Sequence, residues 1–370
     1  MGNTGTDLIA VLGGGQLGRM LGLAGLPLGM RFRFLDAAAD APARDLGTLV
    51  AGELGDHEAL IAVAEDAAAV TYEWEGVPAD AARFLEGRGH RVLPPPRALD
   101  VAQDRLAEKT LFRRLGIGTP EFATVDDRES LERAVGTIGL PAVLKTRRGG
   151  YDGKGQRVLH QAAELDGAWA ALGGVPLLLE QLVRFDREVS VLAVRGRDGE
   201  TAHWPLVENE HRDGILRICR APAPGTDASL EKLASDYAER VLDELAYVGV
   251  LAIELFQVGD DLLANELAPR VHNSGHWTIE GALTSQFENH LRAVVGWPLG
   301  ATSARAACGM VNCIGALPDP ATVLALPGAH LHRYGKAPRA GRKLGHVTVV
   351  ASSPEERDKA LARVTAMVDQ

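Results

Sequence analysis

The spacing of apolar and polar positions divides the chain into three differently patterned stretches. In the first, short apolar runs alternate with amphipathic ones. Asp7–Leu12 predicts a strand, Gln16–Leu28 a helix and Met30–Leu35 a second strand. The rhythm continues through Glu58–Ala64 and Ala69–Tyr72 to a strand at His90–Leu93, the pattern of a doubly wound parallel sheet. Pro94-Pro95-Pro96 interrupts it, since proline continues neither a helix nor a central strand. In the second stretch, Arg97–Leu115 predicts one helix and Leu140–Leu159 two strands joined by a glycine-rich turn. A helix at Ala162–Leu172 and a strand at Leu177–Leu182 complete a small α+β unit. From Val189 onward the pattern is that of antiparallel strands, with helices at Ser229–Leu245 and Pro354–Val368.

Within that last stretch, Leu251–Gln257 and Leu262–Leu267 alternate around Gly259-Asp260-Asp261 and predict a hairpin. Pairing Val258 with Leu262 sets Glu254 opposite Glu266. Opposed side chains stand roughly 4.5–5.5 Å apart at Cβ, where like charges repel. A cation between them removes the penalty, and hard Mg²⁺ carrying nucleotide phosphates suits two carboxylates. The other reading is an edge hairpin whose acids face water, with a bulge free to shift the register.

Composition narrows the classes. The 370 residues are 46% hydrophobic, enough to bury cores for two or three domains. The 39 basic and 49 acidic residues leave a charge of −10, which argues against a nucleic-acid binder or an anionic membrane surface. Three cysteines, without a C-x-x-C pair, suit buried thiols in a reducing compartment. The opening MGNTGTDLIA lacks the basic and apolar regions of a secretory signal, no apolar run has membrane-spanning length, and the cytoplasm is expected. Gly2 and Thr6 fit the permissive myristoylation pattern.

Further motifs carry chemistry. Gly13-Gly14-Gly15-Gln16-Leu17-Gly18 fits G-x-G-x-x-G, with Asp36 at the end of the next strand where a dinucleotide ribose ligand would sit. It also fits a general phosphate site at a helix N-terminus, or simply a compact strand-to-helix joint. Lys145–Gln156, KTRRGGYDGKGQ, lies between strands and is not a Walker A loop. Such a turn can fold over a triphosphate as a flap, with backbone amides and Lys154 facing the phosphates and Lys145 reaching them from its strand; the alternative is a flexible, solvated hairpin loop. In LLLEQLVRFDREVS, Glu180 and Glu188 flank a linker of the kind that reads adenine and ribose. Arg333, Lys336, Arg339, Arg342 and Lys343 cluster in a stretch, Pro320–Pro354, without Asp or Glu, which suits a phosphate-bearing substrate or a solvated loop. His272 and His276 have the four-residue spacing of helical zinc ligands, but Asn273-Ser274-Gly275 between them reads as a turn.

These segments together resemble the ATP-grasp superfamily, and within it the N5-carboxyaminoimidazole ribonucleotide synthetase family. The likeness runs through GGGQLGRM (Gly13–Met20), YEWE (Tyr72–Glu75), QDR (Gln103–Arg105), GGYDGKGQ (Gly149–Gln156) and ENEHRDGIL (Glu208–Leu216). It continues through NELAPRVHNSGHWT (Asn265–Thr278) and GRKLGH (Gly341–His346). Gly76 departs from it, standing where a larger polar residue is expected. The resemblance implies a mixed α/β and α+β architecture: a Rossmann-like pre-ATP-grasp domain over 1–97, a lid over 98–184 and an antiparallel-sheet domain over 185–370. It implies ATP- and bicarbonate-dependent carboxylation of 5-aminoimidazole ribonucleotide through carboxyphosphate, with Mg²⁺ (or Mn²⁺), in a cytoplasmic homodimer.

Carried over by residue, the resemblance implies that Lys109 and Lys145 hold ATP phosphates with Gly153, Lys154 and Gln156 of the flap. Glu180 and Val183 would frame adenine, Glu188 would bind ribose, and His211 and Asn265 would lie near the nucleotide. Glu254 and Glu266 would hold the metal. Tyr151, Asp152, Arg270, His272 and Asn273 would surround bicarbonate and the aminoimidazole, with Glu73 orienting bicarbonate or a lysine. Lys336, Arg342 and Lys343 would take the ribonucleotide phosphate. Competing readings are another ATP-grasp carboxylate–amine ligase of purine synthesis, an NAD-dependent dehydrogenase built on the first glycine loop, and a non-catalytic nucleotide-binding regulator.

Overall fold

In a computed structural model of the chain, which describes residues 8–150 and 153–369, three sheets follow one another along the sequence. β1 (Leu8–Leu12), β2 (Arg31–Asp36), β3 (Thr48–Ala51) and β4 (Ala69–Tyr72) form a parallel sheet ordered β3-β2-β1-β4. β1 is apolar throughout because both faces are covered. Ile9 and Val11 share a core with Leu17, Met20 and Leu21 of the helix Gln16–Gly25, while Ala10 and Leu12 share one with Leu60, Val63 and Leu85. His90–Leu93, expected as a further strand, makes only one bridge, Val92 to Val70. The prolines end it there, and Pro96 opens a helix, where its missing N–H costs nothing. The single helix expected over Arg97–Leu115 is two, Pro96–Ala102 and Arg105–Arg114. Asp104 leaves helical geometry between them and caps the second through the amide of Leu106.

β5 (Phe122–Val125), β6 (Ala142–Thr146), β7 (Gln156–Leu159) and β8 (Leu177–Gln181) form a small antiparallel sheet ordered β5-β8-β6-β7, with the second glycine-rich loop between β6 and β7. Helices Arg128–Ile138 and Leu165–Leu172 complete its core. The third sheet has nine strands: β9 (Arg187–Arg195), β10 (Thr201–His203), β11 (Val207–Arg212), β12 (Ile215–Ala221), β13 (Gly249–Val258), β14 (Asp261–Ala268), β15 (Ala307–Ile314), β16 (Ala329–Arg333) and β17 (Lys343–Ala351). It is antiparallel, ordered β14-β13-β9-β11-β12-β15-β17-β16, with β10 on β9. Helix Ala228–Glu244 covers one end and Pro354–Val368 the other.

Helix Gln286–Val295 ties the first sheet to the third. The amide of Val250 donates to His290 Nδ1 at 3.1 Å, which leaves the ring proton on Nε2, 2.8 Å from Thr71 Oγ1. Among the described residues no helix is long and apolar enough to cross a membrane. The Gly2–Thr6 pattern, Tyr151 and Asp152 lie outside the described residues.

Candidate active site

The hairpin of β13 and β14 brings Glu254 opposite Glu266, by a different route from the expected register. At the turn Val258 pairs with Asp261, not Leu262, so the loop is only Gly259-Asp260, with Gly259 at φ 59° as a type II′ turn requires. That register alone would set Asn265 against Glu254. A bulge next to Glu254 takes up Asn265 as an extra residue and restores the acid pair. Burial, then the neighbouring Glu266, pushes the Glu254 carboxyl up to about 7. The Asn265 side-chain oxygen is buried without a hydrogen-bond partner. Two carboxylates and an orphaned amide oxygen are hard donors that fit Mg²⁺. Among the described residues no group of three His, Cys, Asp or Glu could hold a metal ion, so phosphate oxygens and water would complete the shell. The zinc spacing of His272 and His276 is broken by a 3₁₀ turn at Asn273–Gly275.

Next to the acids lies a buried ion cluster. Lys145 on β6 donates to Glu180 on β8 at 2.8 Å, and Lys109 approaches the same oxygen at 3.5 Å while donating to the Ala264 carbonyl of β14 at 3.1 Å. Burial opposes ionisation of Glu180, but the two ammonium groups overcome it and hold its carboxyl down at about 2. The pKa of Lys109 is lowered too, here by burial, well below the usual lysine range. The second oxygen of Glu180 is buried and unpartnered. Arg105 stands 3.7 Å from Glu266. Glu108 accepts the amide of Leu267 at 2.5 Å, and burial pushes its carboxyl up. Across the sheet His211 Nδ1 bonds Glu188; burial works against its protonation, but that bond and the nearby acids raise its pKa.

Arg270 follows β14. Its Nε donates to Glu75, and its Nη1 to the Val271 carbonyl at 2.9 Å. His272 is buried, with Nε2 3.3 Å from Glu254. Ser274 donates its amide to Nδ1, so the ring proton points at Glu254. Burial, then the charges of Arg270 and Lys343, keeps this imidazole neutral. Asn273 and Asn312 exchange amide hydrogen bonds at 2.7 and 3.1 Å.

The first glycine loop is closed by the chain itself. Glu73 accepts the amides of Gly15 and Gly18, both at 2.6 Å, and Asp36 accepts that of Gly14 at 2.9 Å. These are the donors that would cradle a pyrophosphate, and a Cβ on Gly15 would come within 2.3 Å of Glu73. The dinucleotide reading is therefore wrong: a glutamate already fills the helix N-terminus. Lys336 reaches over the loop to donate to Gln16 and is attracted to Glu73. Lys336, Arg342 and Lys343 are half-buried on this side, whereas Arg333 and Arg339 are exposed.

Three family models match successive parts of the chain: a ribonucleotide synthetase preATP-grasp domain over 7–103, an ATP-grasp domain over 110–287 and a phosphoribosylaminoimidazole carboxylase C-terminal domain over 308–360. N5-carboxyaminoimidazole ribonucleotide synthase of Pseudomonas aeruginosa is 53% identical over 361 residues, 98% of this chain and 99% of the relative. The chain belongs to this family. It is an ATP-grasp ligase. The crystal structure of N5-carboxyaminoimidazole ribonucleotide synthetase from Thermus thermophilus superposes with TM-score 0.94 at 57% identity, covering 98% of this chain and 99% of that one. An Aspergillus clavatus N5-carboxyaminoimidazole synthase, in complex with ADP and 5-aminoimidazole ribonucleotide, gives TM-score 0.92 at 31% identity, covering 99% of both.

In this synthetase-family fold the flap residues Gly153, Lys154 and Gln156 are exposed, and Val183 is half-buried in the linker after β8. Gly153, at φ 75°, rests on the β11–β12 turn, where a Cβ would meet the Asp213 carbonyl at 3.2 Å. Gly76 has a local explanation: the Trp74 indole folds back over it, and a Cβ there would lie 2.3 Å from the ring. Glu75, Gln103, Arg105 and Glu108 were not expected as site residues. YEWE and QDR held the first three in plain view, but only the fold shows Glu75 meeting Arg270. Glu108 carried no signal beyond standing next to Lys109.

Proposed function

We propose that this chain carboxylates 5-aminoimidazole ribonucleotide with ATP and bicarbonate, forming the N5-carboxy product through carboxyphosphate. The observation that carries the reading is one chain of contacts. The buried Lys145–Glu180–Lys109 cluster reaches β14 through the Ala264 carbonyl, Arg105 stands by Glu266 of the acid pair, and Arg270, just past β14, meets Glu75, two residues from the Glu73 that attracts Lys336. The three family models, the relatives and the complex holding ADP and 5-aminoimidazole ribonucleotide support it.

In this reading Lys109 and Lys145 bind ATP phosphates under the Gly149–Gly155 flap, and Tyr151 and Asp152 serve the bicarbonate and aminoimidazole site. Glu180, Val183, Glu188 and His211 line the nucleoside end. Glu254 and Glu266, aided by Asn265, would hold Mg²⁺, which neutralises phosphate charge when bound. Bicarbonate oxygen attacks the γ-phosphorus and ADP leaves. The amine nitrogen then attacks the carboxyphosphate carbon, the C–O bond to phosphate breaks, and inorganic phosphate departs. Arg270 stabilises the mixed anhydride, His272 and Asn273 orient the acceptor, and Lys336, Arg342 and Lys343 take its phosphate. Flap closure keeps water from the anhydride. The domain limits 1–97, 98–184 and 185–370, the homodimer and a cytoplasmic location belong to the same reading; the three cysteines are free and buried, which suits a reducing compartment.

The test is ADP release from Mg-ATP with 5-aminoimidazole ribonucleotide, with and without bicarbonate. Release that requires the ribonucleotide, with product that requires bicarbonate, is expected. Mg-ATP binding without turnover would send the search to other amine acceptors.

A further inference from the structure

We propose that Glu75 is a positioning residue for Arg270, setting the guanidinium from the end of the first sheet so that carboxyphosphate reaches the amine instead of water. The inference rests on the carboxylation reading above and adds a residue to it.

Arg270 is half-buried, and two of its nitrogens are committed: Nε to Glu75 and Nη1 to the Val271 carbonyl. Among the described residues Nη2 takes no hydrogen bond, so this edge of the fork is the one presented to an incoming oxyanion. A guanidinium is planar, so fixing Nε and Nη1 fixes the direction in which Nη2 points. Val271 is the next residue in the chain and travels with Arg270. Glu75 does not: it stands 195 positions away, in the loop after β4. It therefore supplies an external reference for the ring of donors.

That loop is itself held. Gln103 donates its amide nitrogen to the carbonyls of Glu75 and Val77 at 2.7 and 2.6 Å. Two residues before Glu75, Glu73 is anchored on the Gly15 and Gly18 amides. Glu75 thus hangs between two fixed points of the first sheet's end. Its carboxylate, ionised in the field of Arg270 and Lys343 despite burial, carries that rigidity to the third sheet. A misplacement of about 1 Å at a reacting group costs roughly 100-fold in rate, the scale on which such a strut acts.

The experiment compares wild type with Glu75→Gln, which removes the charge at nearly constant shape. ADP and carboxylated ribonucleotide are both quantified under saturating substrates. In wild type one ADP should form per carboxylated product. In Glu75→Gln, kcat for product is expected to fall about 10- to 100-fold, with ADP exceeding product at least about twofold, as carboxyphosphate is lost to water. KM for ATP should stay within about twofold, because Lys145 and Glu180 are untouched. Arg270→Lys should cost much less in the Glu75→Gln background than in wild type, as expected for residues acting as one unit. If the Gln variant does not fold, Glu75→Asp keeps the charge, withdraws the carboxylate by one methylene, and should raise the ADP-to-product ratio in the same way. Loss of thermal stability and rate at an unchanged ratio, or fully additive losses with Arg270→Lys, would overturn the proposal. A wild type that releases no ADP with these substrates would overturn the carboxylation reading and the inference with it. A coupled wild type with an unaffected Glu75→Gln would overturn the inference alone.

Discussion

Glu254→Gln should stabilise the metal-free protein while destroying its activity. Burial and Glu266 raise the Glu254 carboxyl from 4.5 to about 7. By linkage, a folded-state pKa above the unfolded one favours the unfolded chain as pH rises, because the unfolded state releases its proton first. Stability is therefore full below about pH 4.5, declines through about pH 7, and is flat beyond. A rise of this size corresponds to about 3 kcal/mol, an upper figure for two interacting acids. Gln keeps the shape and cannot ionise, so at pH 8 the variant should exceed wild type by up to about 3 kcal/mol, and at pH 4.5 the two should converge. The assay is thermal unfolding in EDTA at pH 4.5, 6 and 8, followed by Mg-ATP addition at pH 8. In a multidomain chain of this length each kcal/mol shifts the transition by a few degrees at most, so the expected separation at pH 8 is several degrees. Mg-ATP should raise the wild-type transition more than the variant's. A variant no more stable than wild type at pH 8, or equally stabilised by Mg-ATP, would refute the pair as the cation site.

His290 should make the fold acid-sensitive. Burial holds its pKa at about 4, so its contribution is present above pH 6.5 and lost as pH falls through 4, by up to about 3 kcal/mol; equilibrium unfolding of His290→Gln should lack that part of the slope. Glu180→Gln should destabilise the protein by about 3 kcal/mol at pH 7, since Lys145 and Lys109 are left buried without their counter-charge; denaturant titration measures it, and the gap should shrink between pH 4.5 and 2. Gly15→Ala should expel the Glu73 carboxylate from the loop amides and raise KM for the ribonucleotide more than KM for ATP, read by steady-state kinetics. Gly76→Asn should displace the Trp74 indole, visible as a shift in tryptophan emission, with thermal stability changed by about 1 kcal/mol or less.

Much of this was legible where the signal is local. Periodicity carried the parallel sheet, the helix Pro354–Val368 and the acid hairpin, because each rests on neighbours a few residues apart. The hairpin also marks a limit. A two-residue turn and a bulge at Asn265 are two offsetting departures that alternation alone does not register, and the acids met only because both occurred. The break at Asp104 was hidden because a cap and a helix interior share polar residues there. Partnerships across long separations stayed out of reach: Lys145 with Glu180, Glu75 with Arg270, and Glu73 with the glycine loop it closes. The last is the most instructive. G-x-G-x-x-G describes a helix start with open amides, and nothing in it says whether a ligand or the chain's own glutamate will fill them.

The central claim is that bicarbonate is activated by phosphoryl transfer before the amine is carboxylated. It is tested most directly by running the reaction with ¹⁸O-labelled bicarbonate and ATP and analysing the released phosphate. One labelled oxygen from bicarbonate in each phosphate is the expected result, because the oxygen that attacks phosphorus leaves with it. Phosphate free of that label, alongside normal formation of the carboxylated ribonucleotide, would contradict the account.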